Sequence, residues 1–220
     1  MFSEVQAIIF DLDGLVIDSE ITYQQAWRLA LQELNQDLDQ IDFMQFSGCD
    51  AATVESRLLA SCDQNFELND FRRLSAAKWH EWVARHGMPV KPGLQAVLTE
   101  INRLGWAYAL ATNSPRAQAL QLLARAGLSG VFNLIIARDQ VAKGKPAPDL
   151  LYLAARHLAV PPPQCLVLED SWTGLQASVA AGMRCCLIPS HPTNAKQQAL
   201  AILTLDDLGQ LAERLQRLSV

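Results

Sequence analysis

Two carboxylates stand close together at the end of an apolar run near the start of the chain. Ile8–Phe10 is followed by Asp11, then by Asp13 and Gly14. Residues i and i+2 of an extended strand share one face, so two ionised carboxylates at this spacing repel each other unless a cation lies between them or one is protonated. Acids before a glycine are also common in ordinary turns. The spacing therefore indicates either a site for a metal ion or a proton, or a polar strand end.

Three further polar groups follow apolar runs that are typical of buried strands. They are Thr112, Asn113 and Ser114 after Trp106–Ala111, Lys145 in the loop after Leu134–Ala137, and Glu169 with Asp170 after Cys165–Leu168. Each has a plain structural explanation, as a helix cap, a solvated loop charge or acids in a first helical turn. In an open parallel sheet, however, ligands bind beyond the carboxyl ends of the strands. Because four strand ends carry such groups, we expect one metal-assisted phosphate site.

Charge indicates what each of these side chains would do. Asp11, Glu169 and Asp170 offer the hard oxygen ligands that Mg²⁺ takes while it shares a substrate phosphate. Lys145 and the Thr112 hydroxyl would hold phosphate oxygens and neutralise charge in the transferring group. One carboxylate is then left to attack phosphorus and another to move a proton.

The rest of the chain divides into a helical part and a part in which helices and strands alternate. Apolar residues recur at helical spacing in Ser19–Leu34, and two more helices are predicted in the same part. After it, short apolar strands alternate with helices, which indicates βαβ units and a parallel sheet. The predicted fold is α/β, a Rossmann-like doubly wound parallel sheet formed by residues 1–15 and 89–220. Residues 16–88 are predicted to form a small inserted α-helical cap.

Composition limits the class of partner. The 220 residues carry a net charge of −5 and are 50% hydrophobic, which is typical of globular proteins and gives no basic surface for nucleic acid. No apolar run is long enough to span a membrane, and no secretory signal is predicted. The five cysteines are odd in number and lack metal-binding spacing. We therefore expect reduced thiols, a cytoplasmic location, and no nucleic-acid or membrane partner.

Taken together, the motifs resemble those of the haloacid dehalogenase superfamily. They read D-L-D-G at 11–14, T-N-S at 112–114, K-P-A-P-D at 145–149 and E-D-S at 169–171, in the order of that family's four motifs. The resemblance covers the whole chain. It is strongest for the branch with a small helical cap, which contains β-phosphoglucomutase, phosphoglycolate phosphatase and the sugar-phosphate phosphatases.

The resemblance implies a role for each motif residue. Asp11 would be the nucleophile that forms an aspartyl phosphate. Asp13 would be the general acid/base, and a Mg²⁺ ligand through its backbone carbonyl. The remaining metal ligands would be Asp11 itself, Glu169 and Asp170. The phosphate-binding residues would be Thr112, Asn113 and Lys145, and Asp149 is predicted to orient Lys145 by charge pairing.

The first motif also separates reactions within the superfamily, because an acid at Asp13 favours phosphoryl transfer over dehalogenation. The expected function is Mg²⁺-dependent hydrolysis of a small phosphorylated metabolite, a sugar or sugar acid phosphate, by a monomer or homodimer. A sugar phosphomutase and a phospho-accepting signalling module are the alternatives. Two departures weaken the mutase hypothesis, since Tyr23 and a residue at about Ala51 stand where β-phosphoglucomutase-like sequences have a histidine and an arginine.

Three side chains outside the motifs are candidates for contact with the rest of the substrate. They are Arg116, Tyr23 and Lys78. Lys78 is more typical of a solvated helix face, and Tyr23 of the apolar core of the cap. Arg116 differs from them because it follows a predicted strand end.

Overall fold

The structure, a computed structural model, describes residues 2–46, 51–190 and 192–218. The strands within these ranges are β1 (Ala7–Phe10), β2 (Ala107–Ala111), β3 (Ile135–Ile136), β4 (Cys165–Glu169), β5 (Arg184–Leu187) and β6 (Leu203–Thr204). They form one sheet in the order β3-β2-β1-β4-β5-β6, and neighbouring strands pair in parallel. The predicted α/β class with a parallel sheet is confirmed.

The helices of the described residues alternate with the strands from the second strand onward. They are α1 (Ser19–Glu33), α2 (Ala51–Ser61), α3 (Leu68–His86), α4 (Leu94–Leu104), α5 (Arg116–Arg125), α6 (Asp149–Leu158), α7 (Trp172–Ala180), α8 (Ala195–Leu200) and α9 (Leu208–Gln216). The strand order reverses at β1, because β2 and β3 lie on one side of it and β4 to β6 on the other. The carboxyl end of β1 therefore lies at a switch point, where open α/β sheets bind their ligands.

The central strand β1 is buried on both faces. All four of its residues are 0% exposed. Ile9 packs in one cluster with Val167 of β4 and with Leu150 and Leu151 of α6. A parallel strand covered on both faces reads as a continuous apolar run, and each large aliphatic side chain buried in this way contributes about 1.5–3 kcal/mol relative to exposure. The core thus fixes the strand that carries Asp11 at its end.

The chain divides into two compact units. The first unit comprises Met1–Asp18 and Pro89–Val220 and contains the sheet, and the second unit is Ser19–Met88. Residues 16–18, which the sequence analysis placed in the insertion, group with the first unit. There the backbone N–H of Asp18 donates to the carbonyl of Pro89 at 2.9 Å. The second unit as a substrate-covering cap stays a prediction.

The second unit has its own apolar core. Leu31 of α1, Leu58 of α2 and Phe71 of α3 belong to one buried cluster. A polar link joins α1 to α3, since the indole N–H of Trp79 donates to the Thr22 hydroxyl at 2.8 Å, and that hydroxyl lies 2.6 Å from the carbonyl of Ser19. Both polar groups are therefore satisfied inside the unit.

A few element boundaries differ from the sequence-based expectation. β4 includes Glu169, which was predicted to follow the strand, and the backbone of Ile188 donates to the carbonyl of Glu169 at 2.7 Å. α8 and β6 were not predicted, although Asn194 and Gln197 form a capping box at the start of α8. None of the described helices has the length and apolar character that a membrane span requires.

Candidate active site

The carboxyl end of β1 places Asp11 between two neighbouring strands. The backbone N–H of Asp11 donates to the carbonyl of Leu168 at 3.0 Å, so the pairing of β1 with β4 continues to this residue. On the other side, the N–H of Thr112 donates to the carbonyl of Ile136 at 3.0 Å. Asp11 and Thr112 are both buried. The sheet itself thus sets the positions of the first two motif residues.

Lys145 is the centre of a buried charge cluster. Its Nζ lies 2.5 Å from Oδ1 of Asp11 and 2.5 Å from Oε1 of Glu169, and it donates to the carbonyl of Ala111 at 2.8 Å. An ammonium group has three donors, and these acceptors use all of them. The Lys145 ammonium therefore contacts the carboxylates of both Asp11 and Glu169 directly.

Burial and proximity shift the pKa values of this cluster. Burial disfavours the charge on Lys145, but Asp11 and Glu169 outweigh it and hold the pKa of the ammonium above its usual value. Burial raises the pKa of Glu169 to about 7, against the opposing effect of Lys145. Burial, followed by the charges of Asp11 and Glu169, raises the pKa of Asp170 well above its usual value. The negative charges of Asp11, Glu169 and Asp170 would outnumber the one positive charge of Lys145, so the cluster favours a further cation.

The same carboxylates form a candidate site for a divalent cation. Oxygen atoms of Asp11, Glu169 and Asp170 all lie within 4.8 Å of one another. Carboxylate oxygens are the ligands that Mg²⁺ takes, and a cation would supply the missing positive charge. The turn after β1 leaves room for Asp170, since a Cβ at Gly14 would lie 1.9 Å from its Oδ2. These residues fit a magnesium ion, whereas the predicted contribution of the Asp13 carbonyl stays a prediction.

Asp13 is held by a residue to which the sequence analysis gave no role. The hydroxyl of Ser114 donates to Oδ2 of Asp13 at 2.9 Å, and the backbone N–H of Ser114 donates to the Thr112 hydroxyl at 2.9 Å. The T-N-S motif therefore links the end of β2 to Asp13, the second carboxylate after β1. Its serine was visible in the sequence, but only the structure shows what it contacts.

Asn113 binds the backbone of the Lys145 loop. Its Oδ1 accepts from the N–H of Lys145 at 2.8 Å, and its Nδ2 donates to the carbonyl of Lys145 at 3.1 Å. Gly144 permits this approach, because a Cβ there would lie 2.4 Å from Asn113 Oδ1. The Asn113 side chain thus positions the residue that carries the ammonium, and the predicted phosphate contact of Asn113 stays a prediction.

Asp149 does not pair with Lys145, so that prediction is wrong. Its Oδ1 instead accepts from the backbone N–H of Lys143 at 3.3 Å. The charge partners of Lys145 are Asp11 and Glu169. Asp149 is the first residue of α6, and its carboxylate binds the backbone of the loop that precedes the helix.

The candidates outside the motifs have other partners in the structure. Arg116 is exposed, and its guanidinium donates to the carbonyl of Ile135 at 2.7 Å. Lys78 forms an ion pair with Glu33 at 2.6 Å, and that hydrogen bond raises the pKa of the ammonium. Contact of either residue with substrate stays a prediction.

Tyr23 belongs to an aromatic stack within the second unit. Its ring lies 5.5 Å from that of Trp79 at an angle of 12°, and 6.3 Å from that of Trp27 at 26°. All three side chains are partly exposed. β-Phosphoglucomutase-like sequences have an arginine at about the position of Ala51, and the side chain of Ala51 lies outside what the structure describes. The role of Tyr23 in substrate contact stays a prediction.

Comparisons with known proteins agree with the motifs. The fructose-1-phosphate phosphatase of Escherichia coli is 30% identical over 183 residues, which cover 83% of this chain and 96% of the relative. The phosphorylated carbohydrates phosphatase of Thermotoga maritima is 28% identical over 81% of this chain and 82% of its own length. A haloacid dehalogenase family hydrolase from Deinococcus radiodurans, solved with bound phosphate and sodium, is 29% identical with a TM-score of 0.80, over 95% of this chain and 94% of its own.

The comparison that identifies the family covers most of the chain. The model of the haloacid dehalogenase-like hydrolases matches residues 8–188. That range includes Ile8–Phe10 of β1, Asp11, the T-N-S motif, Lys145, and Glu169 with Asp170. The resemblance seen in the sequence is therefore confirmed, and with it the expectation of an enzyme: the chain belongs to the haloacid dehalogenase-like hydrolase family.

Proposed function

We propose that this chain is a Mg²⁺-dependent phosphatase that hydrolyses a small phosphorylated metabolite through an aspartyl phosphate on Asp11. The observation that carries the proposal is the environment of Asp11. Its carboxylate faces the Lys145 ammonium at 2.5 Å and lies within 4.8 Å of the carboxylates of Glu169 and Asp170. A buried carboxylate beside a fixed cation and a candidate metal site is arranged to approach a phosphate dianion.

The reaction has two halves. In the first, an oxygen of Asp11 attacks phosphorus while the bond to the leaving alcohol breaks, and Asp13 gives that alcohol a proton. In the second, Asp13 takes a proton from water and the water oxygen attacks phosphorus. The bond between phosphorus and the Asp11 oxygen then breaks, which regenerates the Asp11 carboxylate and yields inorganic phosphate. Asp13 suits both steps because it follows the nucleophile by two residues and its carboxylate is held by Ser114.

Positive charge must balance the transferring phosphoryl group. Lys145 supplies a fixed ammonium, and Asp11, Glu169 and Asp170 would hold Mg²⁺ together with the Asp13 carbonyl. When bound, the ion would neutralise phosphate oxygens. The Thr112 hydroxyl accepts from Ser114 and keeps its own proton free to donate to a phosphate oxygen. The backbone of Asn113 would approach the phosphate, because its side chain binds the Lys145 loop.

A sugar or sugar acid phosphate is the substrate class that we propose. The support is the relatives, since two of them are named as phosphatases of fructose 1-phosphate and of phosphorylated carbohydrates. Arg116, Tyr23 and Lys78 stay the candidate contacts for the part of the substrate beyond the phosphate. Cytoplasmic location and a monomer or homodimer also stay predictions.

A screen of phosphorylated sugars and sugar acids with Mg²⁺ tests the proposal. Both inorganic phosphate and isomerised sugar phosphate should be measured, because isomerisation without phosphate release would favour the phosphomutase alternative. A phospho-accepting signalling module would not turn over p-nitrophenyl phosphate. We expect Asp11→Asn to lower turnover by on the order of a thousandfold or more, whereas Asp70→Asn, at an exposed ion pair with Arg73, should leave it unchanged.

A further inference from the structure

The turn that follows Asp13 is tied to a strand end that the reaction does not use. Ser190 lies beyond β5, and its hydroxyl donates to the carbonyl of Gly14 at 3.1 Å. Gly14 has a φ of 85°, and its N–H donates to the carbonyl of Ile17 at 2.8 Å. The peptide groups on both sides of Gly14 are thus engaged, one within the turn and one with Ser190.

Lys91 completes this connection. Its Nζ donates to the Ser190 hydroxyl at 3.2 Å and lies 3.8 Å from Oδ2 of Asp18. Its backbone N–H donates to the carbonyl of Val16 at 3.0 Å. The Lys91 side chain is 20% exposed. Hydrogen bonds therefore hold Lys91 at both its backbone N–H and its ammonium group. Lys91 therefore bridges the segment after Gly14 and the segment after β5.

The chemistry of the three groups fixes the direction of the chain of hydrogen bonds. An ammonium can only donate, and a backbone carbonyl can only accept. The Ser190 hydroxyl must therefore accept from Lys91 and donate to Gly14. A hydroxyl polarised by a cation is a stronger donor than a free one. The Lys91 charge thus strengthens the bond that holds the Gly14 carbonyl.

Packing covers this turn on one side, and a cavity lies on another. Leu15 and Val16 are 0% exposed, but a cavity of about 230 Å³ lies beside the turn, lined by Leu15, Lys91, Ile188 and Leu208. The hydrogen bond from Ser190 is a directional restraint on the Gly14 carbonyl.

We propose that Ser190 and Lys91 are positioning residues that hold the Asp13–Gly14 turn in the geometry for proton transfer to the leaving group. This inference rests on the proposed function, because it assigns proton transfer to Asp13. Ser114 fixes the carboxylate of Asp13, and the Ser190 hydroxyl fixes the backbone that immediately follows it. A shift of that backbone would move the acid away from the leaving oxygen, and small misplacements of catalytic groups are costly in rate.

Two aryl phosphates of similar size test the proposal. Phenolate leaves poorly and needs a proton, whereas p-nitrophenolate leaves readily without one. We expect Ser190→Ala to lower kcat/KM for phenyl phosphate by about three- to tenfold, the value of one hydrogen bond, with KM unchanged. For p-nitrophenyl phosphate the loss should stay within about twofold. Ser190→Thr keeps the hydroxyl and should restore the activity.

Lys91→Met should reproduce the same preference, since Lys91 acts through Ser190. The double variant should then be no slower than Ser190→Ala alone, because groups in one chain are not additive. The matched control is Ser75→Ala, which removes an exposed hydroxyl that donates to a helix carbonyl in the second unit. It should leave kcat/KM unchanged for both substrates.

Specific outcomes would overturn the proposal. Equal losses with both substrates would show that Ser190 does not act through proton transfer, and multiplied losses in the double variant would show that Lys91 acts independently. Failure of the proposed function would look different, since wild-type protein would then hydrolyse neither ester in the presence of Mg²⁺.

Discussion

Lys145 and Glu169 form an ion pair that solvent does not reach, with Nζ and Oε1 2.5 Å apart and side chains 3% and 0% exposed. Glu169 is held in place on two further sides. Its Oε2 accepts from the Ser171 hydroxyl at 3.0 Å, and Gly174 lies so close that a Cβ there would be 1.8 Å from the Glu169 carboxyl carbon. Glu169 is thus a fixed second partner for the ammonium that contacts Asp11, and the E-D-S-x-x-G sequence supplies the residues that hold Glu169.

Removing the Lys145 ammonium is therefore expected to cost stability. We expect Lys145→Met to lower the free energy of unfolding by about 3 kcal/mol, since the buried carboxylates of Asp11 and Glu169 would lose the cation between them. Urea denaturation measures this difference. Turnover should fall as well, because the fixed positive charge beside Asp11 would be lost.

The control for this variant breaks an exposed ion pair of similar length. Glu81 lies 2.6 Å from Arg85, with the two side chains 50% and 70% exposed. Glu81→Gln should change the free energy of unfolding by less than about 0.5 kcal/mol. A similar change in both variants would contradict the importance of the buried pair.

Asn113→Ala is expected to lower activity without removing any group that bears charge. The side chain makes two hydrogen bonds to the backbone of Lys145, so its loss frees the loop that aims the ammonium. We expect kcat/KM to fall by about tenfold or more, as misplacement of a catalytic group typically does. Asn69→Ala, at an exposed contact with Arg72, should leave kcat/KM unchanged, and equal effects would contradict the positioning role.

The sequence was sufficient to predict the strands that carry the site and the order of the motifs. Buried parallel strands are read from continuous apolar runs, and Ala7–Phe10 and Cys165–Leu168 are of this kind. Polar residues directly after such strands must lie at one edge of the sheet. The clustering of Asp11, Lys145 and Glu169 therefore follows from local patterns together with the rule for parallel sheets.

The contacts between side chains could not be predicted in the same way. Asp149 is near Lys145 in sequence, which suggested a pair, but its carboxylate binds the Lys143 N–H, and Lys145 pairs with Asp11 and Glu169 instead. Ser190 contacts Gly14 across 176 positions of sequence and Lys91 across 99. Such contacts depend on how separate strand ends meet, and no local pattern encodes them.

Gly14→Ala is expected to disturb the candidate metal site as well as the backbone. A Cβ at this position would lie 1.9 Å from Oδ2 of Asp170, so the Asp170 carboxylate would have to move. We expect loss of Mg²⁺-supported turnover together with a stability cost of about 1–2 kcal/mol from the left-handed backbone. Turnover against Mg²⁺ concentration and urea denaturation measure the two effects.

Gly130→Ala separates the two effects. Gly130 has a φ of 77°, close to the 85° of Gly14, but a Cβ there would meet nothing within 4 Å. Its stability cost should be the backbone part alone, about 1–2 kcal/mol, whereas its dependence on Mg²⁺ should be that of the wild type. If both variants lost turnover equally, the collision with Asp170 would not be the cause.

Asp170→Asn should change stability in opposite directions with and without Mg²⁺. Burial and the charges of Asp11 and Glu169 raise the pKa of Asp170, so its ionised form is unfavourable in the metal-free cluster. A neutral amide should therefore raise the metal-free Tm. The wild type should gain about 5–10 °C when Mg²⁺ is present at 100 times its Kd, and the variant should lose most of that gain.

Thermal unfolding in EDTA and in Mg²⁺ measures both the metal-free Tm and its rise with Mg²⁺. Asp70→Asn is the control and should keep the full rise in Tm with Mg²⁺. A lower metal-free Tm, or an undiminished gain with Mg²⁺, would remove Asp170 from the proposed metal site.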